Sequence, residues 1–168
     1  MNLTIPCLLL LAVASARPAA AGPARTGEAE VREAGGVTPC FTISQKEERR
    51  AGAPTFRTIT VFDPSRQPKA TMWTMSVPAE RSFSVPYSMC IPYGGRMSVL
   101  PQTPAAPLQP GKVYEVLIGA RVADAADGTS SYAARFCLAT QPNGSVIVHH
   151  IGAGAHEGRH VYGCVPAP

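Results

Sequence analysis

Seventeen prolines and fifteen glycines interrupt every candidate helix of useful length in this chain. A proline inside a helix removes a backbone donor and clashes with the preceding turn, and a glycine gives up more backbone freedom than any other residue. What survives between the breaks is short and alternates. From Cys40 onward, strand signals recur every ten to fifteen residues or so. Phe41 and Ile43 alternate with Thr42 and Ser44, and Phe56 to Phe62 alternates with apolar residues on both faces in part, as an inner strand does. Regularly spaced short strands with turn signals predict one all-β domain over 39–168, a sandwich of roughly seven to nine strands.

The remaining runs fill that outline. Ala70 to Val77 holds Met72, Met75 and the sole tryptophan, Trp73, which is expected in the core. Arg81 to Tyr87 alternates Phe83 and Val85 with serines, and Met97, Val99 and Leu100 precede a proline-rich crossover from Pro101 to Pro110. Lys112 to Val122, Ser131 to Ala139 and Ser145 to Ile151 are strands, and His160 to Val165 is read as a last one. Asp127-Gly128 and Pro142-Asn-Gly144 are turns.

The amino end reads as a targeting signal over 1–21. Ile5 to Ala14 is apolar but too short to span a bilayer, and Ala14-Ser-Ala16 and Ala19-Ala-Ala21 offer small residues for cleavage. Cys7 sits too early, at the start of the apolar run, to suit lipid attachment, and no later segment is apolar enough to cross a membrane. Residues 22–38 are poor in bulky apolar side chains and read as a disordered leader, with a weak helical pattern over Thr26 to Ala34. Removing the signal leaves Cys40, Cys90, Cys137 and Cys164. An even number in an exported chain argues for two disulfides in an oxidising, periplasmic setting. Three connectivities are open; the favoured one joins Cys40 to Cys90 and Cys137 to Cys164, because it staples neighbouring strands or a strand to the tail. The formal charge of +4 is mild. Lys46 to Arg50 carries both signs with no interleaved aromatics, so it reads as a solvated turn rather than a nucleic-acid site.

Three constellations suggest chemistry. His156-Glu157-Gly-Arg-His160 matches the zinc-protease pattern of two histidines one helical turn apart with a glutamate base. That pattern needs a helix, yet Gly152, Gly154, Gly158 and Gly163 flank or interrupt it. A looser copper or zinc site would draw on His149 or His150 with His156 and His160; the first two are neighbours on a strand and point to opposite faces. Met72, Met75, Met89 and Met97 could ligate copper through soft thioethers, but core packing around Trp73 explains them better. There is no Gly-x-Ser-x-Gly elbow, the Gly-Gly pairs lack a phosphate-loop pattern, and Asp63, Asp124 and Asp127 fall in turns. No catalytic residue and no cofactor is expected.

Leu108-Gln-Pro-Gly-Lys-Val-Tyr114 begins with a turn at Pro110-Gly111 and places a tyrosine near the start of a strand. It resembles the tyrosine corner of fibronectin type III and immunoglobulin-like sandwiches, where the phenol bonds backbone a few residues upstream. Together with Cys40-Phe-Thr-Ile43, Ser88-Met-Cys-Ile-Pro-Tyr-Gly94 and Tyr132-Ala-Ala-Arg-Phe-Cys-Leu138, the chain resembles a family of small bacterial periplasmic proteins, many of them lipoproteins, described as type VI secretion immunity proteins. The quoted elements span roughly Thr38 to Val148, and the lipobox cysteine of the lipoprotein members has no counterpart here. The resemblance implies an immunoglobulin-like sandwich that inhibits a secreted toxin by occlusion, with a protein partner and no nucleic acid. The polar connections Lys46 to Arg57 and Asp124 to Thr129 are the candidate contact surfaces, since loops on a rigid scaffold carry function.

Overall fold

Where apolar residues recur at every second position, eight strands and one short helix form among the residues that the computed structural model describes, 24–95, 100–121, 128–152 and 163–164. They run in the order β1 (Arg25–Glu33), β2 (Pro39–Ile43), α1 (Gln45–Ala51), β3 (Phe56–Asp63), β4 (Ala70–Ser76), β5 (Ile91–Pro92), β6 (Val113–Ala120), β7 (Thr129–Thr140) and β8 (Val146–Ile151). The strands follow one path, β4-β3-β6-β7-β1-β2-β5, and β8 joins β7 beside β1. The path curls over itself, so the fold is an all-β sandwich. Phe41, Ile43 and Ile91 from the short layer bury against Ile59, Trp73, Ile118 and Phe136 from the long one. The rings of Phe41 and Phe136 lie 5.5 Å apart at their centres, a tilted contact typical of packed aromatics. Burying each such large side chain contributes roughly 1.5–3 kcal/mol.

β1 joins the two layers. Its first half pairs in parallel with β7, from Arg25 opposite Thr129 to Glu28 opposite Ala133. Its second half pairs antiparallel with β2, from Ala29 opposite Ile43 to Glu33 opposite Pro39. β7 forks at this point: beyond Ala133 its ladder passes to β8, from Arg135 opposite Ile151 to Thr140 opposite Val146.

This strand corrects the expectation of a disordered leader over 22–38. Gly27, Ala29 and Val31 face inward and alternate with Glu28, Glu30 and Arg32. The inward residues are small because the space is small. A Cβ on Gly27 would lie 2.6 Å from Cδ1 of Tyr132 and 2.9 Å from Oε2 of Glu47. Lys46 to Arg50 is likewise not a turn but most of helix α1, started by the Ser44 hydroxyl, which accepts the Glu47 N–H at 3.3 Å. Arg81 to Tyr87 forms no strand. Its one ladder contact among the described residues is the isolated bridge between Thr55 and Ser84, and Val85 plugs the core. Met97, Val99 and nearly all of His160 to Val165 lie outside the described residues, as does Asp127 of the expected turn.

The disulfides join Cys40 to Cys90 and Cys137 to Cys164. The first ties β2 to the segment entering β5; the second ties the outer side of β7 to the tail. Pro110-Gly111 turns into β6, with Gly111 at φ +81° and its N–H on the Leu138 carbonyl at 2.7 Å. Tyr114 is buried, its hydroxyl accepts the Gln109 N–H at 2.9 Å, and Leu108 packs on the core beside it. The crossover from Pro101 to Pro110 then runs along the free edge of β4. Ser76 donates to the Pro101 carbonyl, Thr103 to that of Thr74 and Ala106 to that of Met72, all at 2.9–3.0 Å. Prolines supply no donors to a further strand, so the edge is closed. Tyr93 fastens this strap through its hydroxyl, which lies 2.7 Å from the Ala106 carbonyl and 3.2 Å from that of Met72. Burial pushes its phenol up to about 12, which keeps it a donor.

Candidate docking surface

Both connections singled out from the sequence reach the same end of the sandwich. The β2–β3 connection contains α1. The connection before β7 ends at Gly128, whose carbonyl accepts the Arg25 N–H at 3.2 Å, and at Thr129. Residues 122–127 lie outside the described residues. Backbone bonds knit this end together: Phe56 donates to Phe83 at 2.8 Å, Val77 to Arg57 at 2.8 Å and Arg121 to Thr55 at 3.0 Å.

One buried carboxylate fixes α1 in place. Glu47 is only 2% exposed. Arg25 holds it with two bonds, at 2.8 and 2.9 Å, and Arg50 holds it from one turn further along the helix. Arg25 also reaches the Thr129 hydroxyl at 3.0 Å. The cluster therefore links β1, α1 and β7 around one negative charge. On the next residue, the Glu48 carboxylate accepts the Tyr87 N–H at 2.8 Å, which pulls the 78–87 segment against the helix. Arg121 pins the same segment from the other side, donating to the Ala79 and Arg81 carbonyls at 2.7 and 3.2 Å.

With Glu47 and Glu48 turned inward, the exposed side of α1 is basic. Lys46 and Arg49, three residues apart on the helix, are exposed. Arg25, Arg50 and Arg57, with Arg81 and Arg121, bring this end to seven bases against Glu47, Glu48 and Glu80. Adding Asp124 and Asp127 from the 122–127 connection still leaves an excess of two positive charges. The remaining described residues are balanced, with five bases and five acids. At the opposite end the bases are paired with buried or half-buried acids. Lys112 donates to Asp63 at 2.6 Å, and Glu115 takes both Lys69 and Arg135.

The histidines and methionines do not gather. His149 stands opposite Cys137, and His150 opposite Phe136, on opposite faces of β8. The Nδ1 lone pair of His150 already accepts the Val31 N–H at 3.1 Å. His156, Glu157 and His160 lie outside the described residues. Met75 is buried beside Trp73, Met72 lies on the other face of β4, Met89 is exposed, and Met97 is not described. Among the described residues no three His, Cys, Asp or Glu side chains are placed to hold a metal ion, and no helix is long and apolar enough to cross a membrane.

Of the two features that build this end, one had a sequence signal. Ser44-x-x-Glu47 just before a helix is the capping-box spacing, a local sign of α1. The pairing of Arg25 with Glu47 has no local sign, because 22 residues separate them. Comparison of the chain with protein-family models, with curated proteins and with solved structures finds no match.

Proposed function

We propose that this chain is an exported binding protein that occludes a protein partner with its α1 end, and that a type VI secretion toxin is the partner class to test first. The observation that carries this reading is the preset geometry of α1. A buried carboxylate with two guanidinium partners, and backbone bonds on both sides, hold a basic helix on a disulfide-braced sandwich. A surface fixed before contact loses little entropy on docking, and one sign of charge steers the encounter. Partner choice within the toxin class rests on the resemblance of the cysteine-bearing elements and of the Pro110-Gly111-x-x-Tyr114 corner.

The test is a calorimetric titration of the oxidised chain with the type VI effector encoded beside its gene, paired with a toxicity-rescue assay. A one-to-one complex is expected. K46E/R49E should weaken it about tenfold or more at low salt, whereas R66E, an exposed charge at the other end, should leave it unchanged. A neighbourhood without a secreted effector overturns the immunity reading. A complex insensitive to K46E/R49E overturns the assignment of the surface.

A further inference from the structure

We propose that His150 is an acid-sensitive latch on strand β1. The geometry that assigns this role is the fork in the sheet. β1 leaves β7 after Glu28, and β8 takes over the β7 ladder from Arg135. Between the diverging strands, the outer edge of β1 has no ladder partner in β8. Val31 pairs with Phe41 of β2 on one side, and on the other its N–H points into the fork. The imidazole of His150, on the core-facing side of β8, fills the gap, and its Nδ1 accepts that N–H at 3.1 Å.

Only the neutral ring can do this. An N–H donor needs a lone pair, so Nδ1 is bare and the proton sits on Nε2. Protonation puts two donors face to face, and the contact becomes repulsive. The charged groups around the ring pull in both directions. Glu28 and Glu30 of β1 favour the imidazolium, although Glu30 is also paired with Arg32 at 2.9 Å, and His149 on β8 opposes it. Burial in the fork is the largest influence and holds the ring below its ordinary value, in the neutral form that the bond requires. Acidification into the range where histidine titrates therefore opens the Val31 contact and frees this part of β1 from β8.

Hydrogen exchange read at single amides tests this. Protection of the Val31 amide, corrected for intrinsic exchange, is measured between about pH 7.5 and about pH 5, with Val116 of β6 as the control. Val31 should lose about fivefold more protection than Val116, the equivalent of one hydrogen bond. In His150→Asn the side-chain oxygen replaces Nδ1 as a non-titrating acceptor, so the differential loss should vanish. Imidazole nitrogen NMR on the unaltered chain gives a second reading that needs no variant, and at neutral pH it should show the proton on Nε2. An equal loss at Val31 and Val116, the same pH response in the Asn variant, or a proton on Nδ1 overturns the latch.

Discussion

Gly27 is the residue on which the α1 end is built. The Tyr132 ring and the Glu47 carboxylate both stand within 3 Å of the position that a Cβ would take, and neither can retreat cheaply. The ring is buried between strands, and the carboxylate is held by Arg25 and Arg50. Gly27→Ala should destabilise the fold by about 1–3 kcal/mol, as overpacking does, read as a lower urea midpoint with an unchanged slope. An unchanged midpoint would show that the cluster can shift and does not lock α1. The same residue shows why β1 was hard to see in the sequence. Where the strand passes beside a tyrosine and a buried ion cluster, it can offer only Gly27 and Ala29 inward, and Val31 follows beyond them. Those small residues, among glutamates and arginines, look like a chain too polar to fold. Cys40, Trp73 and Tyr114, by contrast, declare their burial through their chemistry, and each is in the core.

At the scale of elements, the end of β3 carries the clearest dependence on pH. Asp63 is the last residue of that strand and is 3% exposed. Burial alone would raise its carboxyl, but the Lys112 ammonium and two bonds from Ser65 outweigh it and hold the group below its ordinary value of 3.8. A carboxylate depressed in the folded state contributes stability that is whole above 3.8 and is lost as pH falls through the folded value. Asp63→Asn should therefore cost about 2 kcal/mol at neutral pH and flatten the decline of stability below about pH 4, measured by denaturant titration at several pH values. An equally steep decline in the variant would place the acid sensitivity elsewhere. His150 adds a second window at higher pH. Its contribution is whole above 6.5 and fades as pH falls toward the depressed folded value. Strand positions were legible wherever apolar residues alternated, as in β3, β4, β6, β7 and β8. The bulge that lets both Phe56 and Ile59 face inward from β3, and the fork at β7, were not. Both are properties of register, which depends on partners far away in the chain.

For the whole molecule, the cystines set how much order survives heat or denaturant. In the chain-entropy account, a bridge across 50 residues contributes roughly 4 kcal/mol and one across 27 residues roughly 3.5 kcal/mol. Cys40→Ala/Cys90→Ala should lower the unfolding free energy by about that larger amount and expose the short layer of β2 and β5. Cys137→Ala/Cys164→Ala should cost slightly less and release only the tail. Circular dichroism with urea checks both, and losses far below 1 kcal/mol in either pair would show that packing alone holds the layers. One further property follows from the direction in which β1 runs. It enters beside β7 heading the same way, while Cys164 grips β7 from further along at Cys137. A load drawn between residue 24 and Cys164 slides the two strands lengthwise, so their cross-links must rupture together instead of one after another. A tether pulled at that end is gripped rather than peeled.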